Sequence, residues 1–131
     1  MLLTTILTSV AFALAAPSSQ HTGYAMQTST GLVTLELWPQ WRDSVLVVRV
    51  RATTHTIELG TVNLSEQARL VVAGTEIAPF SAGQLSGHHA VAEVVFRLDR
   101  RPSSFAITIR DVPDVPERVL TWPPADRDGG P

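Results

Sequence analysis

The chain has 131 residues, of which 44% are hydrophobic and 17% charged, with a formal net charge of −2. This balance and length fit one globular domain and do not suit two, and a negative chain with 6% aromatics lacks the basic footprint that grips a nucleic-acid backbone, so nucleic acid is excluded as a partner. There is no cysteine, which removes disulfides, thiolate metal sites and cysteine nucleophiles together and leaves the fold to its apolar core.

The chain opens with "LLTTILTSVAFALAA" at 2–16. An apolar core of roughly 7–15 residues ending in small side chains reads as a signal peptide, and it falls short of the ~20 needed to span a bilayer. Ala13-Leu14-Ala15 supplies a small-x-small cleavage site, which makes residues 1–15 the signal peptide and Ala16 the mature N-terminus. The expected location is periplasmic or secreted, with no membrane anchor after cleavage. Residues 16–30 read as a polar lead, and His21 falls in it.

A period of two then begins. Val33, Leu35 and Leu37 share one face, and Thr34 and Glu36 the other. Pro39 and the following "QWRDS" are expected to end this strand. In "SVLVVRVRA", Leu46, Val48 and Val50 oppose Val47, Arg49 and Arg51. Alternation of this length indicates strands with one buried face. "TIEL" at 56–59 reads as a short strand or strand extension, and "NLSEQA" as a helical turn capped by Asn63 or Ser65. "ARLVV", "AG" and "TEIAP" read as strand, tight turn, strand. "FSAGQLSG" reads as a loop.

The clearest strand follows, with Ala90, Ala92, Val94, Phe96 and Leu98 on one face. Phe105, Ile107 and Ile109 mark the next. "DVPDVPE" reads as a proline-punctuated connector, "RVLTW" as the closing strand, and 123–131 as a disordered tail. Roughly seven or eight short antiparallel strands at such spacing predict an all-β fold, an immunoglobulin-like β-sandwich over 31–122, with a small barrel as the alternative.

Three patterns stand out within it: Thr54-His55-Thr56 after a strand, Gly87-His88-His89 before a later one, and Val115-Pro116-Glu117-Arg118 with Trp122 four residues beyond the arginine. Together, over roughly 45–122, they resemble an uncharacterised family of secreted bacterial and archaeal β-domains. The family pattern often has an acidic residue before T-H and a tryptophan-glycine-proline run before G-H-H, where this chain has Thr53 and "FSAGQLS". The resemblance directs attention to His55, His88 and His89, and no activity comes with it.

Imidazole is a common copper and zinc ligand, and a site needs three or four converging donors. His55 ends one strand and His88 and His89 begin another, and strand ends of a sandwich cluster at its poles. Adjacent side chains on a strand point to opposite faces, so parity sends His88 inward with Ala90 and Ala92, and His89 outward. Glu58, Glu76 or Glu117 would have to supply a further donor. The alternative is structural: His55 and His88 hydrogen-bond loop backbone or the Glu117/Arg118 pair. His21 could chelate copper only as a mature N-terminus, and Gln20 before it makes a poor cleavage site.

There is no nucleophile elbow and no phosphate loop, and the scattered carboxylates read as solvated strand faces. Trp122 is expected in the core, while Trp38 and Trp41, flanking Pro39 at a turn, form a candidate contact patch. The expectation is thus an exported, non-enzymatic β-sandwich, an accessory or protein-interaction module with an unknown protein or small ligand as partner. The competing expectation is a periplasmic copper or zinc binder using His55, His88 and His89.

Overall fold

The computed structural model describes residues 23–123. The predicted signal peptide, His21 and the tail beyond Pro123 lie outside the described residues. Nine strands are found among those described: β1 (Gln27–Ser29), β2 (Val33–Arg42), β3 (Val45–Thr54), β4 (Ala68–Val72), β5 (Thr75–Ile77), β6 (Ser81–Ala82), β7 (His89–Arg97), β8 (Phe105–Val112) and β9 (Val115–Trp122). They form two antiparallel sheets, ordered β1-β2-β3-β7-β6 and β5-β4-β8-β9. The protein is therefore an all-β sandwich. Strands β2-β3-β7-β6 facing β5-β4-β8-β9 follow the A-B-E-D and C′-C-F-G orders of immunoglobulin sandwiches. The strand count exceeds the expected one because β1 and β6, at 3 and 2 residues, are too short to leave a periodic signal.

The alternating residues make the core. Val33, Leu35 and Leu37 of β2, Leu46, Val48 and Val50 of β3, and Val94 and Phe96 of β7 are at most 1% exposed. They meet Leu70, Ile107, Ile109 and Trp122 from the opposite sheet, which are equally dry. Each such side chain contributes about 1.5–3 kcal/mol. A one-residue slip of β3 would send Arg49 and Arg51 inward, so the hydrophobic pattern fixes the register.

Two residues of β9 fasten the sheets to each other. Buried Arg118 donates from Nη1 to the carbonyl oxygens of Val33 (2.8 Å) and Ser29 (3.1 Å), both in the facing sheet. Trp122 donates from Nε1 to the Ala25 carbonyl at 2.6 Å and stacks on Phe105 with centroids 5.2 Å apart. Asp114 accepts from the Leu32 N–H at 3.1 Å and lies 3.6 Å from Arg118 Nη2. A Cβ on Gly31 would sit 3.1 Å from both Arg118 Nη2 and Asp114 Oδ2, so the β1–β2 turn is packed directly onto this pair.

Several boundaries differ from the sequence expectation. Strand β2 runs through Pro39 and Trp41 to Arg42, and the chain reverses at Asp43 and Ser44, whose φ values of 45° and 71° are those of a two-residue hairpin turn. Pro39 is tolerated because its carbonyl, and hence its ring nitrogen, faces the edge side, where the Tyr24 N–H donates to it at 3.1 Å; no ladder donor toward β3 is lost.

Residues 111–117 are a hairpin rather than a connector. Strand β8 extends to Val112, Pro113 and Asp114 (φ 76°) turn, and β9 begins at Val115. Pro116 fits because β9 is an edge strand. Residues 56–59 are not a strand. Thr54 Oγ1 accepts from the Thr56 and Ile57 N–H groups, ending β3, and a 3₁₀ turn follows at Leu59–Thr61. The helical turn is α1 (Leu64–Gln67), capped by Asn63. The domain also begins before residue 31: Gly23 bridges Gln40, and β1 pairs with β2.

Candidate functional site

Two places carry the sequence-predicted residues: the pole where β3 ends and β7 begins, and the outward face of the five-stranded sheet. At the pole, the Thr54 N–H donates to the His88 carbonyl at 2.9 Å, and Thr53 pairs with His89. The T-H-T and G-H-H segments therefore do meet. Glu58 closes the pole: its Oε2 accepts from the N–H groups of Gly60 and Gly87, both at 2.9 Å, and Leu59 N–H donates to the Gly87 carbonyl at 2.8 Å. Hydrogen bonds from Gly60 and Gly87, with the nearby His88 charge adding, hold the Glu58 carboxyl below its usual range. Gly87 has φ +68°, a conformation that disfavours side chains.

The imidazoles themselves take no part in these hydrogen bonds. His55, His88 and His89 are all exposed, and none of their imidazoles hydrogen-bonds or ion-pairs among the described residues. The inward position expected for His88 is not taken: His88 lies before the strand and is exposed, and the inward alternation begins with half-buried Ala90 and buried Ala92. Arg118 also differs from expectation, since its partners are Asp114, Ser29 and Val33 rather than a histidine. Two of the acids expected as further donors are committed elsewhere. Glu76 and Glu117 both hold Arg110, at 3.0 and 3.3 Å, raising its pKa. Among the described residues no group of three or more His, Asp or Glu side chains is arranged to hold a metal ion.

The second place is built by register. Across β2, β3 and β7 the outward residues form rows: Thr34, Thr53 and His89; Glu36, Arg51 and Val91; Trp38, Arg49 and Glu93; Gln40, Val47 and Val95; Arg42, Val45 and Arg97. Trp38, Gln40, Arg42, Val47, Arg49, Arg51 and Glu93 line a groove of about 310 Å³. That is near the lower end of small-molecule pockets, at roughly 300–1,000 Å³. Val47 forms its floor and, although it points outward, is only 7% exposed.

The groove's cations differ in how firmly they are held. Arg51 Nη1 lies 3.1 Å from Glu36 Oε1, and its guanidinium sits 5.3 Å from the Trp38 ring centroid. Arg42 Nη2 donates to Gln40 Oε1 at 3.0 Å. Arg49 lies between Trp38 and Glu93 in its row, is exposed, and makes no ion pair among the described residues.

The expected Trp38–Trp41 patch does not form. Because β2 is regular through Pro39, the two rings point to opposite faces: Trp38 outward to the groove, Trp41 inward against the core. Trp122 is buried, as expected. Sequence reasoning placed Arg49 and Arg51 outward but did not single them out, because the neighbour across the sheet depends on register. The chain matches no family model, no curated protein and no solved structure.

Proposed function

We propose that this protein is an exported, non-enzymatic interaction module, periplasmic or secreted, that engages its partner through the outward face of the five-stranded sheet. The observation that carries the reading is the groove bounded by Trp38, Arg42, Arg49 and Arg51. Tryptophan and arginine are the side chains most enriched at energetic hot spots of interfaces. Here they surround an apolar floor, and two of the arginines are already held in place. The motif residues Arg118 and Trp122, by contrast, are used up in joining the sheets.

The test is capture of a partner by the purified protein, compared with Trp38→Ala and with His55→Ala/His88→Ala. The reading expects capture to fail with the first variant and persist with the second. Capture that survives Trp38→Ala would refute it. The copper or zinc reading rests on the juxtaposition of the T-H-T and G-H-H segments, and it has less support because no group of three donors is arranged around the exposed imidazoles among the described residues.

A further inference from the structure

We propose that the groove receives an extended acidic segment of a partner protein, with carboxylates at alternate positions seated on Arg49 and Arg51. This rests on the interaction-module reading and names the chemistry of its partner. Charge complementarity is the first argument. Three guanidinium groups line the groove with one carboxylate, that of Glu93, and Glu36 sits against Arg51, which leaves one positive charge in excess on a chain whose net charge is −2. The surface is therefore locally positive on a negative molecule, which steers acidic partners to this face and away from the rest.

Spacing is the second argument. Arg49 and Arg51 are two residues apart on one strand and point the same way. An extended chain repeats its side-chain direction every second residue, at about 6.5–7 Å. An acidic segment laid along β3 would present glutamate or aspartate at the same interval. A planar guanidinium fork fits a carboxylate with two parallel hydrogen bonds.

The third argument is the division of labour within the groove. Glu36 and Trp38 hold Arg51, and Gln40 holds Arg42, so little side-chain freedom is lost there on binding. Arg49 has no ion-pair partner among the described residues and an unpaired Glu93 beside it. It is the cation with donors to give. Trp38 supplies a half-buried apolar wall for the methylenes of the incoming acid.

The experiment is a nitrogen–proton NMR titration of the purified protein with a Glu-Thr-Glu-Thr-Glu peptide, its Gln-Thr-Gln-Thr-Gln counterpart and inorganic phosphate. The proposal expects the Trp38 indole and the Arg49 and Arg51 Nε–H signals to move with the acidic peptide only, while the Trp41 and Trp122 indoles stay. Arg49→Glu should weaken the acidic peptide roughly tenfold or more, and Arg49→Gln by less. Arg49 is exposed, and an unchanged Trp122 signal reports an intact fold. Equal shifts with the neutral peptide or with phosphate would overturn the proposal. So would an unmoved groove; if Trp38→Ala still abolished partner capture, only the acidic occupant would fall. Capture that survives Trp38→Ala removes the interface reading itself.

Discussion

Arg118 Nη1 donates to the Val33 carbonyl oxygen across 2.8 Å, joining the last strand of one sheet to the long hairpin of the other. The side chain is 1% exposed, and its Nε and Nη2 have no hydrogen-bond partner among the described residues; Asp114, 3.6 Å away, balances the charge through space. Burial pulls the Arg118 pKa down, and the Asp114 carboxylate opposes that shift. The residue thus stabilises through one nitrogen while carrying a desolvation cost on the others. Arg118→Ala is expected to cost about 3 kcal/mol in denaturant unfolding, since it strands the buried Val33 carbonyl and the part-buried Ser29 carbonyl and leaves a cavity. Arg118→Met should cost less, because it fills the space without the charge. A loss below about 1 kcal/mol for alanine would contradict the clamp.

Glu58 makes a pH-dependent contribution. Its folded carboxyl is held below the ordinary value of 4.5 by the Gly60 and Gly87 N–H groups. A carboxyl with a depressed folded pKa stabilises the fold fully above its unfolded value, and that contribution is lost as pH falls through the folded one. Wild type should therefore lose melting temperature on acidification below about pH 4.5 faster than Glu58→Gln does. Parallel melting curves for the two proteins across that range would rule the contribution out.

Strand parity gives a paired prediction. Ile107 is 1% exposed and Val91 is 50% exposed. Ile107→Ala should cost about 2–5 kcal/mol, and Val91→Ala should stay within about 0.5 kcal/mol. Urea unfolding of the two variants checks this, and similar losses at both sites would mean the strand faces are wrongly assigned.

Zinc or copper offered to the protein should bind weakly and with no dependence on the pole. The imidazoles of His55, His88 and His89 are exposed, and among the described residues neither they nor a neighbouring acid form a group of three donors arranged to hold an ion. Isothermal titration of wild type against His55→Ala/His88→Ala/His89→Ala is expected to give matching isotherms. A tight one-to-one site lost in the triple variant would establish a metal centre at the pole.

The alternation of aliphatics was sufficient to read the long strands β2, β3 and β7, where Val33, Leu35 and Leu37, Leu46, Val48 and Val50, and Ala92, Val94 and Phe96 alternate into the core. It failed where a tertiary neighbour decided the outcome. Pro39 looks like a strand breaker until the edge side of β2 is known, and Pro116 until β9 is seen to be an edge. Strands β1 and β6 have too few residues to show a period and exist through pairing to β2 and β7. Strand ends that cluster at a pole can meet, and the histidine segments share one through the Thr54 N–H to His88 carbonyl bond, but where their side chains point depends on what covers the pole. The groove was hidden for a simpler reason. Trp38 and Arg49 lie eleven residues apart in sequence, and only the β2–β3 register, set by a two-residue turn at Asp43 and Ser44, brings them side by side.

The most direct test of the interaction surface is hydroxyl-radical footprinting of the protein alone and with its captured partner bound. Trp38 is half-buried in the free protein, Trp122 is 1% exposed, and His88 and His89 are exposed. Protection of Trp38 and Val91 on binding, with His88 unchanged and Trp122 unreactive in both states, is the expected result. Protection confined to His55 and His88, with Trp38 as reactive as before, would contradict it.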